Sequence, residues 1–255
     1  MSTRLSPWFL LLVVVTLVGG VLTVLGTPEA VATGSSVLLT AGVVVLVLGG
    51  WSVSLCLHEF GHAIVAYRGG DWTVRQNGYL TLDIRRYSNV ALTFVLPVLV
   101  LLLGGIPLPG GAVWVNHGLI RRSGVRSLVS LAGPAINLLL GALLTTAVAL
   151  VPMPIGLAVG LSCLALIQVL AFLLNILPVP GLDGFGILEP FLPESARRLA
   201  DQVRPWAPIA LFVLLIGLPA VATVFFDLGG WIFEAIGGST RLANVGYNEL
   251  LFWRR

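Results

Sequence analysis

Charge is what this chain has least of. Only 10% of its 255 residues are Asp, Glu, Lys or Arg; lysine is absent and all 14 basic residues are arginine. With 57% hydrophobic residues and a mean hydropathy of +1.01, that scarcity excludes an ordinary soluble domain. The arginines stand singly and in pairs between apolar runs, with no dense basic face and interleaved aromatics, so neither nucleic acid nor nucleotide is expected as a partner. Cysteine is nearly missing: Cys56 and Cys163 both lie in apolar runs and read as buried thiols, which excludes a disulfide framework and leaves them no metal role. No internal repeat or low-complexity segment stands out.

What is there is a series of runs long enough to cross about 30 Å of hydrocarbon at 1.5 Å per residue. Residues 8–26 read as a retained first span, too long in its apolar core for a cleaved signal peptide. A loop at 27–36 carries Glu29 and no arginine. The run 37–67 then ends at Arg68, so the positive-inside rule puts the amino terminus and Arg68 on the cytoplasmic side. Beyond Gly69-Gly70 the pattern alternates through Trp72, Val74, Tyr79, Leu80, Leu82 and Ile84 around Asn77-Gly78, which predicts a β-hairpin. Residues 90–106, broken by Pro97 and Gly104-Gly105, are read as re-entrant, because a full crossing would carry Arg121, Arg122 and Arg126 outside. A strand is expected at 112–115. The runs 127–151 and 155–177 form an antiparallel pair, 208–226 is the last span, and the tail with Trp231, Tyr247 and Trp253 is placed in the interface. The fold class is an all-α polytopic membrane protein of about five to six spans with a small β-hairpin or re-entrant element near the site. Three regions follow: 1–36, a catalytic core at 37–190, and 191–255.

Inside the second run stands His58-Glu59-Phe60-Gly61-His62. Residues four apart share a helix face, so both histidines can ligate one zinc while Glu59 sits beside the water that the metal activates. Charged groups near the centre of a membrane helix cost roughly 2.5–3.5 kcal/mol each, so this cluster requires a purpose. With three histidines and few acids in the chain, a chance HExxH is expected on the order of once in a thousand such sequences. A catalytic zinc needs a third protein ligand. His117 reads as a surface-loop residue; Asp183 is better placed, in a stretch where Pro178 and Pro180 stop the helix and Gly181 and Gly184 permit a sharp turn. Glu59 is expected to act as general base and then to protonate the leaving amine. Asn137, within Gly133-Pro134-Ala135-Ile136-Asn137, is expected to bind the scissile carbonyl or the backbone beside it, with helix–helix hydrogen bonding as the alternative. Asn175 is expected to position the Asp183 loop.

HEFGH at 58–62, GPxxN at 133–137 and the N-x-x-P-x-P-x-x-D-G stretch at 175–184 together resemble the signatures of the site-2 protease family of intramembrane zinc metalloproteases, in the family's order over roughly 37–190. The resemblance implies His58, His62 and Asp183 as ligands of one catalytic Zn2+, Glu59 as the catalytic glutamate and Asn137 as a substrate-positioning residue. The segment beginning Gly110-Gly111 resembles the family's glycine-led strand, so Gly111, Val113 and Val115 are expected, with Asn175, to meet the substrate. That substrate is expected to be a single-span membrane protein, unwound and aligned by β-addition. The chain has no room for a PDZ or CBS insertion between its motifs, and resembles a core-only member. The alternative is a membrane transporter or metal-handling protein that only binds zinc; a prenyl-protein type protease is disfavoured because its third ligand is normally glutamate.

Overall fold

The computed structural model describes residues 5–86 and 113–254. Helix α1 (Pro7–Thr33) is opened by Ser6, whose hydroxyl accepts from the Trp8 N–H at 3.2 Å, and closed by Gly34 at φ 83°. It runs on through Pro28, so the loop expected at 27–36 is reduced to the few residues before α2 (Val37–Arg68). Ser36 caps that helix by accepting from the Leu39 N–H. Helix α4 (Ser123–Leu150) follows the short α3 (Thr73–Gln76) and leads to α5 (Ile155–Ile176), the most enclosed of the long helices. The chain then forms α6 (Asp183–Leu188), α7 (Glu194–Val203), α8 (Ala207–Gly217), α9 (Pro219–Ala235) and α10 (Thr240–Leu250).

Among the described residues, α1, α2, α4 and α5 are long and apolar enough to cross a membrane, and α7 with α8, bent by 60°, makes a fifth candidate. The chain is thus an all-α, multi-pass membrane protein. The last span expected at 208–226 is divided instead: Leu218 takes ψ 100° before Pro219, because proline clashes with a helical residue ahead of it, and a new helix starts there. The tail packs back onto the bundle. Ala243, Gly246 and Leu250 of α10 are buried, and Leu250 and Leu251 join Val43, Val47, Trp51, Cys163 and Ile167 in one core.

The expected β-hairpin is absent; the described residues contain no strand. The Asp71 carboxylate accepts from the Thr73 N–H at 3.1 Å and starts α3, while Asn77-Gly78, with Gly78 at φ 75°, leads into 3-10 turns at Tyr79–Thr81 and Ile84–Arg86. The alternating apolar residues find grooves rather than a partner strand: Leu82 and Ile84 pack on Leu55 and Cys56, and Val74 on Ala63 and Ala66. This segment also holds the start of α1, through Ser6 N–H to the Thr81 carbonyl at 2.9 Å and Arg85 over the Trp8 ring. Residues 113–115 form no strand, and the expected re-entrant run and Gly111 lie outside the described residues.

Helices α1 and α2 meet backbone to backbone. A Cβ at Gly19 would lie 2.2 Å from the Leu46 nitrogen, one at Gly26 2.3 Å from the Leu39 nitrogen, and one at Gly42 2.5 Å from the Thr23 nitrogen. In lipid, where apolar side chains gain little by leaving their surroundings, such close approach is what joins two helices. Gly19→Ala is therefore expected to cost about 1–3 kcal/mol by overpacking and to lower the thermal midpoint in detergent, whereas the adjacent Gly20→Ala, whose nearest neighbour is 3.6 Å away, leaves it within error.

Candidate active site

One helical turn separates His58 from His62, and α2 presents both rings to the same side. What lies opposite is not a side chain but the backbone of α4. A Cβ on Gly133 would sit 2.5 Å from His58 Nε2 and 2.3 Å from His62 Nε2, and one on Gly61 would press on Ile136 and the Ala132 carbonyl. These two glycines let α2 and α4 close on each other at the histidines. Pro134, next in α4, has no N–H to give to the helix.

Both outer nitrogens are engaged. His58 Nδ1 is 2.5 Å from Asn137 Oδ1, and His62 Nδ1 is 2.6 Å from the Val129 carbonyl oxygen. An oxygen acceptor at Nδ1 holds the proton there and leaves Nε2 bare, which is the form that ligates a metal. The two Nε2 atoms are 3.1 Å apart and lie 3.2 and 3.3 Å from Asp183 Oδ2. Ligands about 2.0–2.1 Å from a tetrahedral zinc lie about 3.3 Å from one another. A nearly equilateral triangle of two imidazole nitrogens and a carboxylate oxygen fits that ion, and two facing lone pairs at 3.1 Å have no better use. His58, His62 and Asp183 are the group among the described residues that could hold a metal.

Asp183 reaches the histidines because the chain reverses sharply after α5. Gly181 adopts φ 98°, and Gly184 packs so tightly that a Cβ would meet the Ile176 carbonyl oxygen at 2.1 Å. Ser127 fixes α6 to α4 by donating to the Ile187 carbonyl at 2.7 Å.

Glu59 is 2% exposed and its Oε2 accepts from the Val113 N–H at 3.0 Å. It borders a cleft of about 360 Å³ shared with His58, His62, Asp183, Val113 and Val115. Asn175 lines the same cleft, its amide donating to the Ala171 carbonyl at 3.1 Å. The structure thus gathers every candidate it describes except Asn137, which stands behind His58 with its amide engaged on both sides, by His58 and by Gln168. The sequence reading missed Gln168, a lone amide in an apolar helix and so a visible signal. It also missed the Val129 carbonyl, which has no side-chain signature; His117 lies in an exposed turn, as expected, and lines the cleft with Arg204. Partial desolvation at the cleft, with Arg126 and Arg204 nearby, lowers the His117 pKa against the pull of Glu189.

The chain is 48% identical over 257 residues to "Putative zinc metalloprotease Rip2" of Mycobacterium tuberculosis H37Rv, covering 99% of this chain and 95% of that one. Its counterpart of the same name in Mycolicibacterium smegmatis is 44% identical over the same shares. The chain belongs to the site-2 protease family of zinc metalloproteases. A more distant relative, "Putative zinc metalloprotease YwhC" of Bacillus subtilis, is 32% identical over 177 residues, 64% of this chain and 77% of that one. No family model matches the chain, and no solved structure matches it. As a zinc metalloprotease it is a hydrolase of peptide bonds with a Zn2+ cofactor.

Because Gly133 leaves room only for a hydrogen against both Nε2 atoms, Gly133→Ala is expected to weaken zinc binding at least tenfold in a chelator competition titration, with helix content by circular dichroism unchanged.

Proposed function

We propose that this protease cleaves other membrane proteins within or beside a spanning helix, from a site toward the cytoplasmic side of the cell membrane. The observation that carries the reading is the triangle of His58, His62 and Asp183 with Glu59 beside it, built on a helix long and apolar enough to cross a membrane. Arg68 at the end of α2 and Arg121, Arg122 and Arg126 around the start of α4 lie at the same end of the bundle as the site, and Glu29 lies at the far end of α1. The positive-inside rule supports a cytoplasmic assignment for the arginine-rich end.

In this reading His58, His62 and Asp183 hold the zinc. When bound, the ion supplies Lewis acidity, bringing the pKa of water to about 7 and polarising a peptide carbonyl. Glu59 Oε2 removes the proton from the attacking water and delivers it to the leaving amine nitrogen. The Val113 N–H, 3.0 Å from that oxygen, keeps the carboxylate oriented and ties it to the segment 113–115, whose Val113 and Val115 border the cleft. Those residues and Asn175 are assigned to substrate contact, since an unwound peptide needs backbone partners in place of the ones it gave up; Gly111 belongs to the same assignment by sequence. Asn137 acts on the substrate only through His58, whose ring it orients. The substrate class is a single-span membrane protein, with the bilayer as the medium that delivers it.

Glu59→Gln is expected to retain zinc and to lose cleavage by a factor of about 10²–10⁴. Quantitative membrane proteomics of cells carrying wild type or Glu59→Gln checks this directly: one or a few single-span proteins accumulate uncut in the mutant and their fragments disappear. If only proteins without a spanning segment accumulate, the intramembrane part of the proposal is wrong. Chelation of purified protein is expected to abolish cleavage, and added Zn2+ to restore it.

A further inference from the structure

Gln168 is 1% exposed in the middle of α5 and borders an apolar cavity walled by Val53, Leu140, Leu144 and Leu164. Its Oε1 accepts from Asn137 Nδ2 at 2.8 Å, and Asn137 Oδ1 accepts in turn from His58 Nδ1 at 2.5 Å. Gln168 Nε2 is buried without a hydrogen-bond partner. A buried unpartnered amide is destabilising, and an apolar residue of the same shape would avoid that penalty.

The direction of this chain of amides matters for the metal. In the observed sense, Asn137 turns its carbonyl to His58, the proton stays on Nδ1, and Nε2 is bare. In the reverse sense Gln168 would donate to Asn137, Asn137 would donate to His58 Nδ1, and the proton would be forced onto Nε2, where it points at His62 and Asp183 and blocks ligation. We propose that Gln168 is a positioning residue for zinc: by accepting from the Asn137 amide it keeps His58 in the tautomer that can ligate. This rests on the reading of His58 as a ligand. Partners of metal-bound histidines typically change metal affinity by 10–100-fold when removed. Here the influence passes through two residues from two different helices.

The test is a double-mutant cycle read as Zn2+ dissociation constants of the full-length protein in detergent, by competition with a chelator of known affinity. Gln168→Met, which keeps the volume and removes the amide, is expected to weaken zinc binding about 10–100-fold. In the Asn137→Asp background the carboxylate accepts from His58 whichever way it is turned, so the same Gln168→Met change is expected to alter affinity less than threefold. Wild-type affinity in Gln168→Met, or an equal penalty in both backgrounds, overturns the proposal, the second because it assigns Gln168 to packing alone. Should Gln168→Met not accumulate, Gln168→Glu carries the test: as an acceptor it is expected to hold zinc within threefold of wild type, and a tenfold loss overturns the proposal. His58→Ala separates the two levels. If it keeps wild-type zinc affinity, the ligand assignment itself fails; if it loses zinc while Gln168→Met does not, only the role of Gln168 fails.

Discussion

Two imidazoles on one helix can aim bare nitrogens at a common point only if nothing stands where their rings converge. In this protein that condition is met by the backbone of α4 at Gly133, a fraction of a side chain away from both Nε2 atoms. The rest of the site follows from this contact. It brings the Val129 carbonyl and the Asn137 amide within reach of the outer nitrogens, and it sets the place to which Asp183 must be returned. Gly61 on α2 and Gly184 after α5 serve the same geometry from the other two sides, each packed against a backbone carbonyl.

The bundle around the site keeps polarity inside its own helices wherever no chemistry requires otherwise. Thr16, Thr23, Thr27, Ser52 and Ser54 donate to carbonyls three or four residues back in their own helix, which satisfies a hydroxyl in lipid without a partner from elsewhere. Polar contacts between helices are reserved for a few places: the amides and histidines of α2, α4 and α5, and ties such as Thr40 to Glu249, which fastens α10 to α2 at 2.5 Å. The helices themselves associate by small residues, most closely along the α1–α2 seam. Few polar ties between helices, concentrated at the metal site, fit the energetics of a low-dielectric surrounding, where each added polar group demands a partner.

The chain's legibility varied by element for physical reasons. Helix existence was readable because a run of apolar residues forces its backbone to bond within itself in lipid, a purely local demand. The boundaries were less so: α1 continues through Pro28, and the final span breaks at Leu218 before Pro219. The segment from Asp71 to Arg86 was misread because alternation describes which side chains are apolar, not what covers them. A strand requires a partner at matching register, whereas Val74, Leu82 and Ile84 are covered by α2. Asn137 stands behind His58, between it and Gln168, a position that no spacing along α4 reveals.

From sequence alone came the membrane class, the helical face that pairs His58 with His62, and the proline and glycine grammar that marks Asp183 as a residue on a turn. All of these depend on residues within a few positions of one another. Only the tertiary structure decided that Asp183 closes the triangle with Nε2 distances of 3.2 and 3.3 Å, that Gly133 is its floor, and that Gln168 stands behind Asn137 and His58. Those facts join segments up to a hundred residues and more apart, and they are set by how closely helices approach, a distance that no local pattern encodes.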